Sequence, residues 1–147
     1  MTDELRHRTP LQVRFRDTDA FGHVNNAVFF TYLELARIRY LLDVLQPEKP
    51  FERMPLILAR VELDFRSPIM FGEEVEVETQ VDRIGRSSIA MSHRMTADGR
   101  LVGEAQSVLV TYDYDLGRPM PVPAEWRTKL AAHEGRPLDA SEPVAAG

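Results

Sequence analysis

A chain of 147 residues with 44% apolar and 8% aromatic side chains is large enough for one domain around a single core and too short for two ordinary ones. Its net charge of −5 argues against non-specific binding to nucleic acid, and the absence of cysteine excludes disulfides, thiolate nucleophiles and thiolate metal sites. No apolar stretch approaches the roughly 18 residues of a membrane span and Met1 to Arg8 lack the apolar run of a secretory signal, so the expected setting is cytoplasmic, with neither membrane nor nucleic acid as partner.

Leu11 to Arg16 alternates apolar Leu11, Val13 and Phe15 with Gln12, Arg14 and Arg16, the period of a half-buried strand. It runs into the polar loop Asp17-Thr18-Asp19-Ala20-Phe21-Gly22-His23-Val24-Asn25-Asn26. From Ala27 to Leu45 polar positions are few and apolar residues occupy most of the circumference, which predicts a long enclosed helix. Pro47 and Pro50 stop it. Glu34, two turns in, needs a partner if buried, and Arg37 at i+3 is the nearest cation.

Ala59, Val61, Leu63 and Phe65 then alternate with Arg60, Glu62, Asp64 and Arg66, a strand closed by Pro68. Past the Phe71-Gly72 turn, Val75, Val77, Thr79 and Val81 interleave with Glu74, Glu76, Glu78 and Gln80. Two more alternating segments, near Ser87 to Thr96 and Leu101 to Tyr114, are joined by Asp98-Gly99, a dipeptide suited to a type I′ hairpin. The expected fold is α+β: consecutive antiparallel strands in a meander, forming a curved sheet of about five strands wrapped around one long central helix. Its open edge is a liability that a second subunit would cover. Ala124 to Ala132 suits a short helix with Trp126 as anchor, and residues 133–147, rich in Ala, Pro, Glu and Gly, suit a flexible tail beyond a single domain of residues 1–132.

The loop concentrates the chemistry. A polar cluster ending in Asn at the mouth of a buried helix sets carboxylate, imidazole and amide groups beside unpaired backbone N–H groups. The N–H groups near Asn26 and Ala27, with the helix dipole, favour a negative oxygen. By residue type, Asp19 fits either a reactive carboxylate or a loop aspartate satisfying backbone N–H groups. His23 fits either a base or a capping histidine, and Gly22 either a turn or a close approach of backbone to ligand. Asp17 fits a strand-end residue that fixes the turn. Asp17, Asp19 and His23 alone make a poor metal site, so no metal is expected.

The run D-T-D-A-F-G-H-V-N-N-A-V-F-F-T-Y-L-E-L-A-R from Asp17 to Arg37 closely resembles the hot-dog-fold acyl-CoA thioesterases of the 4-hydroxybenzoyl-CoA thioesterase type. Its H-V-N-N stretch is similar to that of long-chain acyl-CoA and acyl-carrier-protein thioesterases. The likeness extends from about Val13 to Trp126, through the Pro68 to Gly72 turn, Ile84-Gly85-Arg86-Ser87-Ser88 and the Pro121 to Pro123 exit. It implies one helix in a curled sheet, pairing of two copies, often tetramers of two such dimers, and a site between subunits with the loop facing strands of the partner. By the same resemblance Asp19 matches the carboxylate that serves as nucleophile or general base, and His23 the position of a catalytic histidine. Arg86, Ser87 and Ser88 match a segment that contacts coenzyme A phosphates. Two positions depart from the pattern: Asn26 stands where some relatives have His, and Phe21 where the plant enzymes have Asn. Asn26 can donate and accept hydrogen bonds but cannot shuttle a proton at neutral pH.

Hydrolysis of a thioester needs an activated water or nucleophile and a stabilised oxyanion. A G-x-S-x-G elbow and cysteine are both missing, which leaves a carboxylate mechanism. The expected activity is acyl-CoA thioester hydrolysis by Asp19, assisted by His23 or Asn26, in a homodimer or homotetramer and with no cofactor. Gly22, Phe29, Phe30 and Leu33 would contact the acyl chain. Two rivals stand beside it: a hot-dog enoyl-CoA hydratase, whose loop carries a Pro before the His that this chain lacks, and a non-catalytic acyl-binding module.

Overall fold

Buried and partly exposed residues alternate most regularly in the third and fourth strands of the computed structural model, which describes residues 7–49 and 52–139. In chain order the elements are β1 (His7–Gln12), α1 (Asn26–Leu45), β2 (Leu56–Phe65), β3 (Glu74–Ile84), β4 (Ser88–Ala97), β5 (Arg100–Asp113), the short β6 (Arg118–Pro119) and α2 (Ala124–Glu134). The architecture is α+β, an antiparallel sheet with one long helix, and matches the hot-dog class. Within the sheet the strands lie in the order β1-β3-β4-β5-β2, with β6 pairing to β5.

That order corrects the expected meander. Among the long strands only β3, β4 and β5 follow one another, and β2 joins the far side of β5 instead of β3. The link between β2 and β3 is too long for a hairpin turn and is fastened elsewhere. The Arg66 N–H donates to the Val102 carbonyl at 2.9 Å. Arg100 donates to both Glu73 carboxylate oxygens, at 2.9 and 3.0 Å, and to the Pro68 carbonyl at 2.8 Å.

By their packing the described residues divide into two compact units, one of residues 7–40, 63–79 and 93–105, the other of 41–49, 52–62, 80–92 and 106–139. In the first, β1 runs antiparallel to β3 from His7↔Thr79 to Gln12↔Glu74. Phe29, Leu33, Ala36 and Tyr40, spaced along one stripe of α1, are buried with Val75 and Val77 of β3, Met95 of β4 and Val102 of β5. Phe29 meets Phe65 edge to face at 5.0 Å and Tyr40 meets His7 at 5.2 Å. Gly103 is required for that approach, because a Cβ there would stand 3.2 Å from Leu63 Cδ1 and 3.7 Å from Phe29. At the β4–β5 turn Asp98 and Gly99 have φ of 49° and 80°, as a type I′ hairpin demands. Asp98 also accepts the Glu74 N–H at 2.8 Å.

A polar layer lies inside this unit. Thr79 Oγ1 and His93 Nδ1 are 3.2 Å apart and both residues are buried. Burial, and then the nearby Arg37 guanidinium, push the His93 pKa down to about 3, so its ring is neutral at ordinary pH. Arg37 is itself buried, which lowers its pKa against the opposing pull of Glu34. The expected Glu34–Arg37 ion pair does not form among the described residues: Glu34 is exposed and Arg37 turns inward.

In the second unit Leu41 and Leu45 of α1 are buried with Ile84, Ile89, Met91, Leu109, Val122 and Leu130. α1 ends where Gln46 takes a left-handed φ of 47°, just before Pro47; Pro50 lies outside the described residues. α2 is held by Leu130, by Lys129 donating to the Leu45 carbonyl at 2.7 Å, and by Arg127 donating to the Gly85 carbonyl at 2.6 Å. The expected tail from His133 is corrected for residues 133–139. α2 continues to Glu134, Gly135 turns the chain at φ 73°, and Leu138 is buried. The Ile84 N–H then donates to the Leu138 carbonyl at 2.8 Å. The rest of that tail, residues 140–147, lies outside the described residues.

Candidate active site

The strand expected over Leu11 to Arg16 lies earlier, at β1, because Phe15–Asp17 close a single 3-10 turn. Residues 18–24 then form a miniature hairpin. Thr18 and Val24 make an antiparallel bridge, flanked by hydrogen bonds from the Asp19 N–H to the His23 carbonyl at 3.0 Å and from the Asn25 N–H to the Asp17 carbonyl at 2.9 Å. The tip is a turn closed by the Gly22 N–H on the Asp19 carbonyl at 3.0 Å. Gly22 has φ 85° and no atom within 4 Å of where a Cβ would sit, so this glycine serves the turn and not a close packing contact. One arm is pinned a second time, by the Val24 N–H on the Ile69 carbonyl at 2.8 Å and a bridge from His23 to Met70.

Asp17 is the keystone of this loop. It is 1% exposed, and its carboxylate accepts from the Arg14 backbone N–H (2.9 Å), Arg14 Nε (3.2 Å), Arg14 Nη2 (2.9 Å) and the Tyr32 hydroxyl (2.8 Å). Burial alone would raise its pKa. The hydrogen bonds from Arg14 and Tyr32 outweigh that and hold it below the usual carboxylate value. Burial, and the bond to Asp17, push the Tyr32 hydroxyl well above its ordinary pKa. Neither group is poised to react. The sequence marked Asp17 as the residue fixing the turn, but Arg14 and Tyr32 escaped notice; the signal for Tyr32 was a phenol on the buried stripe of a helix, which has to find a partner.

Asp19 differs from its neighbour two residues away. One oxygen, Oδ1, accepts the Phe21 N–H at 2.9 Å in a local Asx turn and stands 4.0 Å from His23 Nδ1. Oδ2 has no hydrogen bond among the described residues. His23 is half-buried, with Nδ1 3.3 Å from the Val24 carbonyl and its ring stacked against that of Phe21. Both readings of Asp19 are therefore realised in one side chain: one oxygen holds the turn and the other is free.

The start of α1 changes the expected oxyanion pair. Asn25 is the N-cap, its Oδ1 accepting the Ala27 N–H at 2.8 Å and its carbonyl the Val28 N–H at 2.9 Å. The Ala27 N–H is thus committed to the cap and is not an open donor. Asn26, exposed at the first helical position, has neither backbone N–H nor side-chain amide bonded among the described residues, and remains as the donor at this mouth.

Three expected acyl contacts divide similarly. Phe29 and Leu33 are each only 1% exposed and packed into the core, so neither lines an open surface; Phe30 is 38% exposed and meets Phe65 edge to face. Arg86, Ser87 and Ser88 belong to the second compact unit. Ser88 is buried, and the Ser87 carbonyl accepts the Thr111 N–H. Arg86 is exposed, and its carbonyl accepts from the Val122 N–H and Arg127. The described residues contain no group of three metal-binding side chains.

A family model described as the thioesterase-like superfamily matches residues 13–130, through both compact units. A crystal structure from Thermus thermophilus, a thioesterase complexed with coenzyme A and zinc, is 42% identical with a TM-score of 0.84, covering 93% of this chain and all of that one. The acyl-CoA thioester hydrolase YbgC of Escherichia coli O6:H1 is 25% identical over 79% of this chain and 89% of its own length. The long-chain acyl-CoA thioesterase FadM of Escherichia coli K12 is 25% identical over 84% of this chain and 96% of its own.

Proposed function

From the premise that the chain belongs to the thioesterase-like superfamily, we propose that it hydrolyses the thioester of an acyl-CoA to a carboxylic acid and free coenzyme A, with Asp19 as the reacting carboxylate. The observation that carries this is the unengaged Oδ2 of Asp19, held on a doubly pinned hairpin whose other arm opens directly into α1. Coenzyme A bound to the Thermus thermophilus thioesterase supports the ligand class.

In this reading the carbonyl oxygen of the thioester faces the Asn26 N–H and the positive end of α1. Asp19 takes a proton from water as the water oxygen adds to the carbonyl carbon; collapse breaks the C–S bond, and the departing thiolate recovers the proton. As nucleophile instead, Asp19 adds to the carbonyl carbon and expels the coenzyme A thiolate to form a mixed anhydride; water then opens the anhydride, leaving one proton on the released acid and passing the other to the thiolate. His23 faces the same carboxylate and orients it or the water. Arg86 and Ser87 are assigned to coenzyme A phosphates and Phe30 to the acyl chain.

The same reading keeps the expected single domain of residues 1–132, supported by a family match over residues 13–130. It assigns a homodimer or homotetramer. β2 ends the sheet, is largely exposed, and carries the exposed Ile57, Leu58 and Phe65, an edge that a second copy would cover. Among the described residues no helix is long and apolar enough to cross a membrane; action in the cytoplasm is part of the proposal.

The test is thiol release from a ladder of acyl-CoA esters, with enoyl absorbance followed in parallel to separate hydrolysis from hydration. Asp19→Asn keeps an oxygen for the Phe21 N–H, so the turn survives while the base is lost. The expected fall in kcat is about 10²–10⁴-fold. Wild-type turnover by that variant would remove Asp19 from the mechanism.

A further inference from the structure

Phe21 is 84% exposed, the most open of the exposed large apolar residues among those described. A ring with no core to enter contributes little to the fold, so its role lies in what it touches. It touches both halves of the candidate pair: its backbone N–H donates to Asp19 Oδ1 at 2.9 Å, and its ring lies nearly parallel to His23, 17° between planes and 6.2 Å between centroids. Turn geometry explains the first contact, since Phe21 lies two residues after Asp19 in the tip closed by Gly22. It does not explain the second. Any residue with a backbone N–H would satisfy the turn, whereas stacking on an imidazole needs a flat side chain.

Resting on the reading of Asp19 and His23 given above, we infer that Phe21 is a positioning residue of the reaction. Its N–H occupies one Asp19 oxygen and so leaves Oδ2 for chemistry; its ring holds the His23 imidazole beside that carboxylate. The ring faces solvent, so a thioester arriving at the loop would also take water from its outer face and tighten the stack.

The experiment compares Phe21→Ala, Phe21→Leu and Phe21→Tyr in the full chain, by His23 ring resonances in NMR, steady-state kinetics on the best acyl-CoA ester, thermal midpoint and assembly size. Phe21→Ala and Phe21→Leu are expected to shift the His23 resonances and to lower kcat/KM about three- to tenfold, with midpoint and assembly unchanged because so little of the ring is buried. Phe21→Tyr, which keeps a flat ring, is expected to restore both. Unmoved His23 resonances in Phe21→Ala, or full activity in Phe21→Leu, would overturn the inference; so would dissociation of the assembly in Phe21→Ala, which would make the ring a subunit anchor. The NMR comparison needs no turnover. A chain inert toward every thioester would therefore defeat the proposed function without being mistaken for a failure of the stack.

Discussion

Replacing Asp17 by Ala tests whether the loop is held as described. The substitution removes three hydrogen bonds from Arg14 and one from Tyr32. The Arg14 side chain is 59% exposed and returns to water at small cost. Tyr32 is buried, and its hydroxyl is left without an acceptor at about 1–3 kcal/mol, in addition to the loss of bonds to a charged group. The sum is about 3 kcal/mol, which for a chain of this length lowers Tm by roughly 6–12 °C. Tyr32→Phe removes one bond but strands nothing, since Asp17 keeps Arg14, and should cost about half as much. The double variant should be clearly less destabilised than the sum of the two singles, because the stranded hydroxyl is gone. Denaturant melts of the four proteins measure this cycle. Because the folded pKa of Asp17 is depressed, its contribution is complete above about pH 4 and is lost as pH falls toward the folded value; the gap between wild type and Asp17→Ala should narrow below that pH. A strictly additive cycle, or a cost for Asp17→Ala under about 1 kcal/mol, would refute the keystone role.

His93 gives a second and separate acid response. With a folded pKa of about 3 its stabilisation is complete above about pH 6.5 and declines as pH falls from there; His93→Gln should flatten the stability–pH curve between about pH 6 and 4, where Asp17 is silent. Asn25→Ala should cost about 1 kcal/mol as a lost N-cap, read by thermal melts. Asn25→Asp should keep the cap and the melting temperature but slow turnover, because its negative charge sits beside the donor meant for the oxyanion; equal kcat would argue against an oxyanion at this helix end. Gly22→Ala has free space for its methyl group yet a φ of 85°, so it should cost about 1–2 kcal/mol of backbone strain and reduce kcat with it.

What the sequence disclosed was periodic. The alternation of Val75, Val77, Thr79 and Val81 with their charged neighbours, the apolar circumference of α1 and the Asp98-Gly99 turn each place an element to within a few residues. Pairing was less legible, since β2 alternates as a meander strand would and nothing local says that it joins β5. At the site, residue types announced the loop, while its hydrogen bonds depended on which amide found which acceptor. Asn25 and Asn26 are the same residue side by side, and only the backbone decides that the first caps the helix while the second keeps its donor free. The buried Leu138 escaped for a related reason: a single residue in a segment without a period carries no pattern to read.

Asp17 and Asp19 show how two identical carboxylates two residues apart come to different work. In the hairpin they lie on the same arm, opposite Asn25 and His23 respectively. Asp17 sits nearer the core, where an unbonded carboxylate would be prohibitive, and its four donors make it a fixture with a depressed pKa. Asp19 sits one step nearer the tip, where partial exposure lets it keep an oxygen unengaged. The buried member bears the cost of holding the loop, and the outer one need only be aimed. Removing the side-chain partners of Asp17 through Tyr32→Phe with Arg14→Ala should therefore unfix the loop before it alters the chemistry: Tm should fall first, and kcat should fall only as far as Asp19 and His23 lose their mutual placement. A variant pair that kept its Tm but lost kcat would mean that Asp17, not Asp19, bears on the reacting bond.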